Sequence, residues 1–296
     1  MRINAKLFAL ALLVPGLAHA ALNVVATSSS TAALVREVAG DHAKVTVLVP
    51  PDRDLHYVQA RPSMMRDLRA ADLVTAIGSD LEVGWLTVAI QQAANPRILP
   101  GRPGYFEAAT YVTLLDAGRV ADRAQGDVHP TGNPHLNMDP VRMAEVGLAL
   151  ADRLAELDPA NANDFRQRAA DFKRRTEQRL PKWRERTAGH PGAVVFHTDV
   201  VYLLDRFEVP MLGTLEPVPG VPPTASQIKS LTGQLKGRNG VVLFTSYQPE
   251  AAPKALAQTL GWPVAQLPLE APLGADGDAY LDHIDKWIEA LAQARR

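Results

Sequence analysis

The sequence predicts an α/β protein in which two halves of alternating strands and helices flank one long helix. Short apolar runs of strand length recur at βαβ spacing before residue 116 and again after residue 192. Between them, the charged stretch Asn163 to Thr187 has few breakers and carries Phe165, Ala169, Phe172, Leu180 and Trp183 among many cations. No low-complexity tract interrupts either half.

Taken in order, the first twenty residues form a leader. Arg2 and Lys6 precede an apolar run from Leu7 to Leu17, and the segment ends in Ala18-His19-Ala20. That is the layout of a secretory signal peptide cleaved before Ala21, and its apolar run is too short to span a bilayer. Leu22 to Ala26 then reads as a strand, Thr31 to Ala39 as a helix, and Val45 to Val49 as a strand ending at Pro50-Pro51. Pro62 to Ala70 is helical, Leu73 to Ala76 a strand, Leu81 to Gln92 a helix, and Tyr111 to Leu115 a fourth strand. Asp139-Pro140 opens a helix to about Leu157, with Asp139 as its N-cap.

The long helix follows, with Pro181 as a site for a kink. Strands at Ala193 to Phe196, Val241 to Thr245 and Val264 to Leu267 alternate with helices at Asp199 to Arg206, Pro249 to Leu260 and Asp278 to Ala294. The stretch Glu216 to Pro223 reads as an ordered loop. The expected organisation is a signal peptide over 1–20, a first lobe over 21–157, a linking helix over 158–188 and a second lobe over 189–296.

Composition narrows the function. There are no cysteines, so stability rests on packed cores, a thiol-linked lipid anchor is excluded, and any metal site must use His, Asp or Glu. The chain has 31 Lys and Arg against 32 Asp and Glu, and losing Arg2 and Lys6 makes it more acidic, which argues against nucleic acid as a partner.

Eight histidines occur. His56 lies one loop after the second strand, His135 just before the capped helix, and His197 directly after the strand Ala193 to Phe196. In parallel α/β sheets ligand groups collect beyond the carboxyl ends of strands, so these three can face one crevice. His42, His190 and His283 have no motif around them and read as surface residues. His129, six residues before His135, reads as a solvated loop histidine, with a supplementary metal ligand as the alternative.

Asp54-Leu55-His56, followed by Pro62-Ser63 and Ala70-Ala71-Asp72-Leu73-Val74, resembles the first signature of the zinc- and manganese-binding proteins of ABC importers. Asn133-Pro134-His135 with Met138-Asp139-Pro140 is similar to their second signature, and Val195-Phe196-His197 to their third. Glu216-Pro217 and Gly220-Val221-Pro222-Pro223-Thr224 resemble the loop that follows. The four matches stand in family order over nearly the whole chain after the leader.

The resemblance implies two lobes with central parallel sheets joined by one long helix, and a metal site in the cleft between them. It also implies that His56, His135 and His197 are ligands, and that the protein is a monomeric periplasmic carrier delivering metal to a membrane permease. Two departures stand out. The long His- and Asp-rich loop of many members is absent between Gly84 and Gly126, and where the family commonly has a fourth, acidic ligand this chain offers Glu270 or leaves the place to water.

Three imidazoles and at most one oxygen suit tetrahedral Zn²⁺, whereas Mn²⁺ prefers more oxygen, and Cu²⁺ is a weaker alternative. A periplasmic zinc hydrolase is the rival class, since catalytic zinc sites keep an open position. The chain nevertheless has no His-Glu-x-x-His helix and no Gly-x-Ser-x-Gly elbow. A metal chaperone or an adhesin on the same fold is the other alternative.

Overall fold

Strand β1 (Leu22–Ala26) lies inside the first sheet, because Val24, Val25 and Ala26 are buried on both faces by helices. The computed structural model describes residues 20–118, 129–216 and 220–295. The expected leader, apart from Ala20, and part of the expected Glu216 to Pro223 loop lie outside the described residues.

The first sheet is fully parallel, in the order β2-β1-β3-β4, with β2 at Ala43–Val47, β3 at Leu73–Ala76 and β4 at Tyr105–Glu107. Its helices are α1 (Ser29–Ala39), α2 (Pro62–Ala70) and α3 (Leu86–Ala93). Helix α1 starts at a reciprocal cap in which Ser28 accepts from the Thr31 amide and the Thr31 hydroxyl reaches back to the Ser28 amide. It stops at Gly40, whose φ of 53° lies in the left-handed region. Helix α4 (Pro140–Leu157) is capped by Asp139, which accepts from the amides of Val141 and Arg142.

Helix α5 (Ala162–Thr187) runs unbroken through Pro181. Phe165, Ala169, Phe172 and Trp183 are buried on one side, and that packing against α1 and α4 outweighs the lost hydrogen bond at the proline. Its other partner is α9 (Gly277–Ala292). Arg175 pairs with Asp278, Arg179 with Asp282 and Asp285, and Arg186 with Glu289. Three of these pairs keep the same offset along both helices, so α5 and α9 run parallel in fixed register. At their partial exposure such pairs set alignment more than stability.

The second sheet repeats the scheme as β6-β5-β7-β8, again parallel throughout, from β5 (Ala193–Val195), β6 (Met211–Thr214), β7 (Val241–Thr245) and β8 (Val264–Leu267). It carries α6 (Val201–Arg206), α7 (Ala225–Leu235) and α8 (Ala251–Leu260). Side chains alternate across it. Val194, Phe196, Val242 and Phe244 meet Leu235, Leu256 and Trp262 in an outer core. Val195, Val241 and Leu243 join the main core, which continues through Trp287 and Trp183 into the first sheet. Polar ties reinforce this continuity, since buried Asp139 accepts from Arg206 of the second half.

The structure departs from several of these expectations. The strand expected at Tyr111 to Leu115 is not one; the pairing strand is Tyr105–Glu107, and Tyr111 instead stacks on Phe106 at 4.8 Å. Its three residues are too few to show an alternation. Strand β6 and helix α7 went unpredicted: β6 is a half-exposed edge, and α7 buries only Leu235. His190 and His283 are buried rather than superficial, bonded to the carbonyls of Leu291 and Leu269. Helix burial also pushes the His283 imidazole down to about 4.

Candidate metal centre

The three loops that follow β2, precede α4 and follow β5 bring His56, His135 and His197 together. One ligand atom from each lies within 4.8 Å of the others, and the ring centroids are 5.3, 5.4 and 6.0 Å apart. A Zn²⁺ ion bound at the usual ~2.0–2.1 Å needs its nitrogens about 3.3 Å apart, so a contraction on the order of an ångström would close the set.

The same local device orients two of these rings. Asp54 Oδ1 accepts both the His56 amide, at 2.9 Å, and its Nδ1–H, at 2.7 Å. Asn133 Oδ1 accepts the His135 amide and its Nδ1–H, both at 2.9 Å. In each case an Asx side chain two residues ahead of the histidine folds the loop and fixes the ring. His197 is held differently, its Nδ1–H donating to Glu216 Oε2 at 2.9 Å. With all three Nδ1 positions used, Nε2 is the atom left to face the cluster. This is the second layer of hydrogen bonds that metal-ligating histidines usually carry.

The site spans both halves. Asn133 Nδ2 donates to the Thr198 carbonyl at 2.9 Å, and the Tyr202 hydroxyl donates to the Asn133 carbonyl at 2.6 Å. His135 is fully enclosed, and burial first, then the neighbouring His56, His197 and His129, hold its imidazole well below the ordinary value. It is therefore neutral and ready to donate a lone pair. His197 goes the other way: burial pulls it down, but the Glu216 hydrogen bond and the charges of Asp199, Glu216 and Asp54 outweigh that and raise it.

Asp54 and Glu216 sit one hydrogen bond behind the imidazoles of His56 and His197, where they would offset the charge of a cation bound between the rings. Asp199, buried and raised to about 6 by desolvation, accepts from Gln248 at 2.7 Å. The support roles of Asp54, Asn133 and Glu216 were not foreseen, although the repeated Asx-x-His spacing was legible in the sequence. Replacing Asp54 with alanine is expected to weaken metal binding by about 10–100-fold, as is usual for such supports. A competitive chelator titration giving wild-type affinity would contradict that.

Glu270 follows β8 and is buried. Oε2 accepts from the Ser30 amide at 2.9 Å and Oε1 from Asn137 Nδ2 at 3.0 Å, while the Ala271 amide donates to Ser30 Oγ. Glu270 therefore sits on the first turn of α1, where a helix favours negative charge, and ties the two halves together. It lies outside the group of ligand atoms defined by the three histidines. Glu270→Ala strands two buried donors at about 1–3 kcal/mol each, so the apo protein is expected to melt lower while metal affinity changes little. Loss of affinity with an unchanged melting temperature would instead make Glu270 a ligand.

A cleft of about 860 Å³ opens onto the cluster and is lined in part by Asp52, Arg53, His56, His197 and Glu216. Beneath it, a void of about 10 Å³ touches His56, His135, Asn137, Tyr247 and Glu270. Among the described residues no helix is long and apolar enough to cross a membrane.

Relatives match most of this chain. The manganese ABC transporter substrate-binding lipoprotein PsaA of Streptococcus anginosus is 24% identical over 287 residues, covering 92% of this chain and 90% of its own length. The high-affinity zinc uptake system protein ZnuA of Yersinia pestis is 24% identical over 259 residues, covering 81% of this chain and 80% of its own. A crystal structure of ZnuA superposes with a TM-score of 0.76 at 20% identity, over 93% of this chain and all of the other.

Fold and relatives together define a substrate-binding protein of metal ABC transporters and not an enzyme. The chain belongs to the ZnuA family, zinc-uptake complex component A, periplasmic, whose family model matches residues 24–294.

Proposed function

We propose that this protein captures Zn²⁺ in the periplasm and delivers it to the membrane permease of an ABC importer. In this reading residues 1–20 are removed on export, 21–157 and 189–296 are the two lobes, and 158–188 links them. His56, His135 and His197 hold the ion. The observation that carries the reading is the convergence of three imidazoles, each with Nδ1 already bonded to an oxygen.

Relatives carry names for manganese as well as zinc, so the choice of metal rests on donor chemistry. Mn²⁺ favours oxygen donors, whereas a set dominated by imidazole nitrogen suits Zn²⁺. Metal-free protein titrated with each ion is expected to bind one Zn²⁺ per chain and to hold it against excess Mn²⁺. Displacement of zinc by equimolar manganese would overturn the zinc assignment and leave the carrier role standing.

A further inference from the structure

Two of the three clustered rings stand on opposite halves of the fold. His135 precedes α4 and His197 follows β5, with ring centroids 5.4 Å apart, so no local backbone sets their separation. The cross-links nearest the rings set it instead. Asn133 is the hub of these links: Oδ1 accepts from the His135 amide and from its Nδ1–H, while Nδ2 donates to the carbonyl of Thr198, the neighbour of His197. The place of Asn133 therefore bears on both histidines at once.

Tyr202 holds that hub. It lies on α6 of the second half, fully buried, and its hydroxyl donates to the Asn133 carbonyl at 2.6 Å while accepting from the Leu115 amide at 2.9 Å. The Asn133 amide in turn donates to the Leu115 carbonyl at 2.8 Å, so one phenol closes a ring of three hydrogen bonds over two segments of the first half. Burial pushes this phenol up to about 12, which keeps the proton that the bond to Asn133 needs. The aromatic ring is clamped as well. The Arg142 guanidinium lies 4.8 Å from its centroid and is itself bonded to the Thr113 carbonyl and to Asp139. One helical turn beyond Tyr202, Arg206 pairs with the same Asp139.

Resting on the reading of His56, His135 and His197 as ligands, we propose that Tyr202 is a positioning residue of the metal site, its hydroxyl setting the spacing of His135 and His197 across the two halves. It acts through Asn133 and not as a ligand. Binding constellations need their groups held to within about half an ångström, and losing a hydrogen bond behind a metal ligand usually costs about 10–100-fold in affinity. The Tyr202 hydroxyl stands one bond further out, at the low end of that range.

The test is Tyr202→Phe in the full chain, which keeps the ring, its packing and its face toward Arg142 and removes only the hydroxyl. Chelator competition well below the melting temperature is expected to show zinc binding weakened roughly tenfold. The visible absorption bands of the Co²⁺-loaded variant should also differ from those of the wild type, because they report donor geometry. An Asn133→Ala background separates positioning from a general loss of stability. The effect of the hydroxyl passes through the Asn133 side chain, so adding Tyr202→Phe there is expected to cost no further affinity. Wild-type affinity and cobalt spectrum in Tyr202→Phe, or the same loss in both backgrounds, would overturn the proposal. His135→Ala distinguishes the two claims: if it binds zinc like wild type, the three-histidine reading fails, whereas if it loses binding and Tyr202→Phe does not, only the role of Tyr202 is lost.

Discussion

Replacing His135 with alanine is expected to abolish high-affinity metal capture, with a loss greater than about 100-fold, since even supporting hydrogen bonds behind a ligand are worth 10–100-fold. His135 is the most enclosed of the three rings and is held neutral by burial. Its orienting partner Asn133 also bonds the second half through Thr198. No compensating donor can swing into so closed a position. The readout is the rise in melting temperature on adding zinc, which follows the affinity for the folded state. The wild type should show a large rise and the variant almost none. A preserved rise in His135→Ala would sink the assignment.

The second large effect is acid release of the metal. A ligand imidazole must lose its proton before it binds, so protons and metal compete. His197 is raised above its ordinary 6.5 despite its burial, chiefly by the Glu216 hydrogen bond and the nearby acids. Competition from His197 is therefore absent well above that raised value and grows as pH falls through it. Each pH unit below it costs about tenfold in affinity for one displaced proton, or about 100-fold over two units. His135, lowered by burial, adds nothing until more acid conditions. Titrations at stepped pH should show this slope and a proton released on binding near neutrality. Affinity that stays flat from about pH 7 to 5, a span containing the ordinary histidine value, would contradict imidazole ligation.

Much of the fold could be read from the sequence because its strands are short apolar runs between helices with strong caps. Val241 to Thr245 and Val264 to Leu267 coincide with β7 and β8, and Asp139-Pro140 marks the start of α4. What escaped has physical causes. Strand β6 reads Met211-Leu-Gly-Thr at a half-exposed edge, and α7 stays largely exposed, so neither displays the burial periodicity that announces an element. His190 and His283 looked superficial because sequence shows no backbone carbonyl waiting for a ring nitrogen.

The site was legible to a similar extent. His56, His135 and His197 could be chosen from their places after strands and from the family resemblance, and the structure brings these three together. The supports were harder to see. Asp54 and Asn133 act within two residues of their histidines, so the repeated spacing was available as a signal. Glu216 reaches His197 across nineteen positions of chain, a contact that only the folded β5–β6 crossover creates. Asp54 and Glu216, paired with His56 and His197, place negative charge directly behind the rings.

The most direct measurement is anomalous diffraction at the zinc absorption edge from crystals of the zinc-loaded protein. The account predicts one strong peak per chain, about 2.0–2.1 Å from the Nε2 atoms of His56, His135 and His197. A peak on other residues, with these three rings empty, would contradict it.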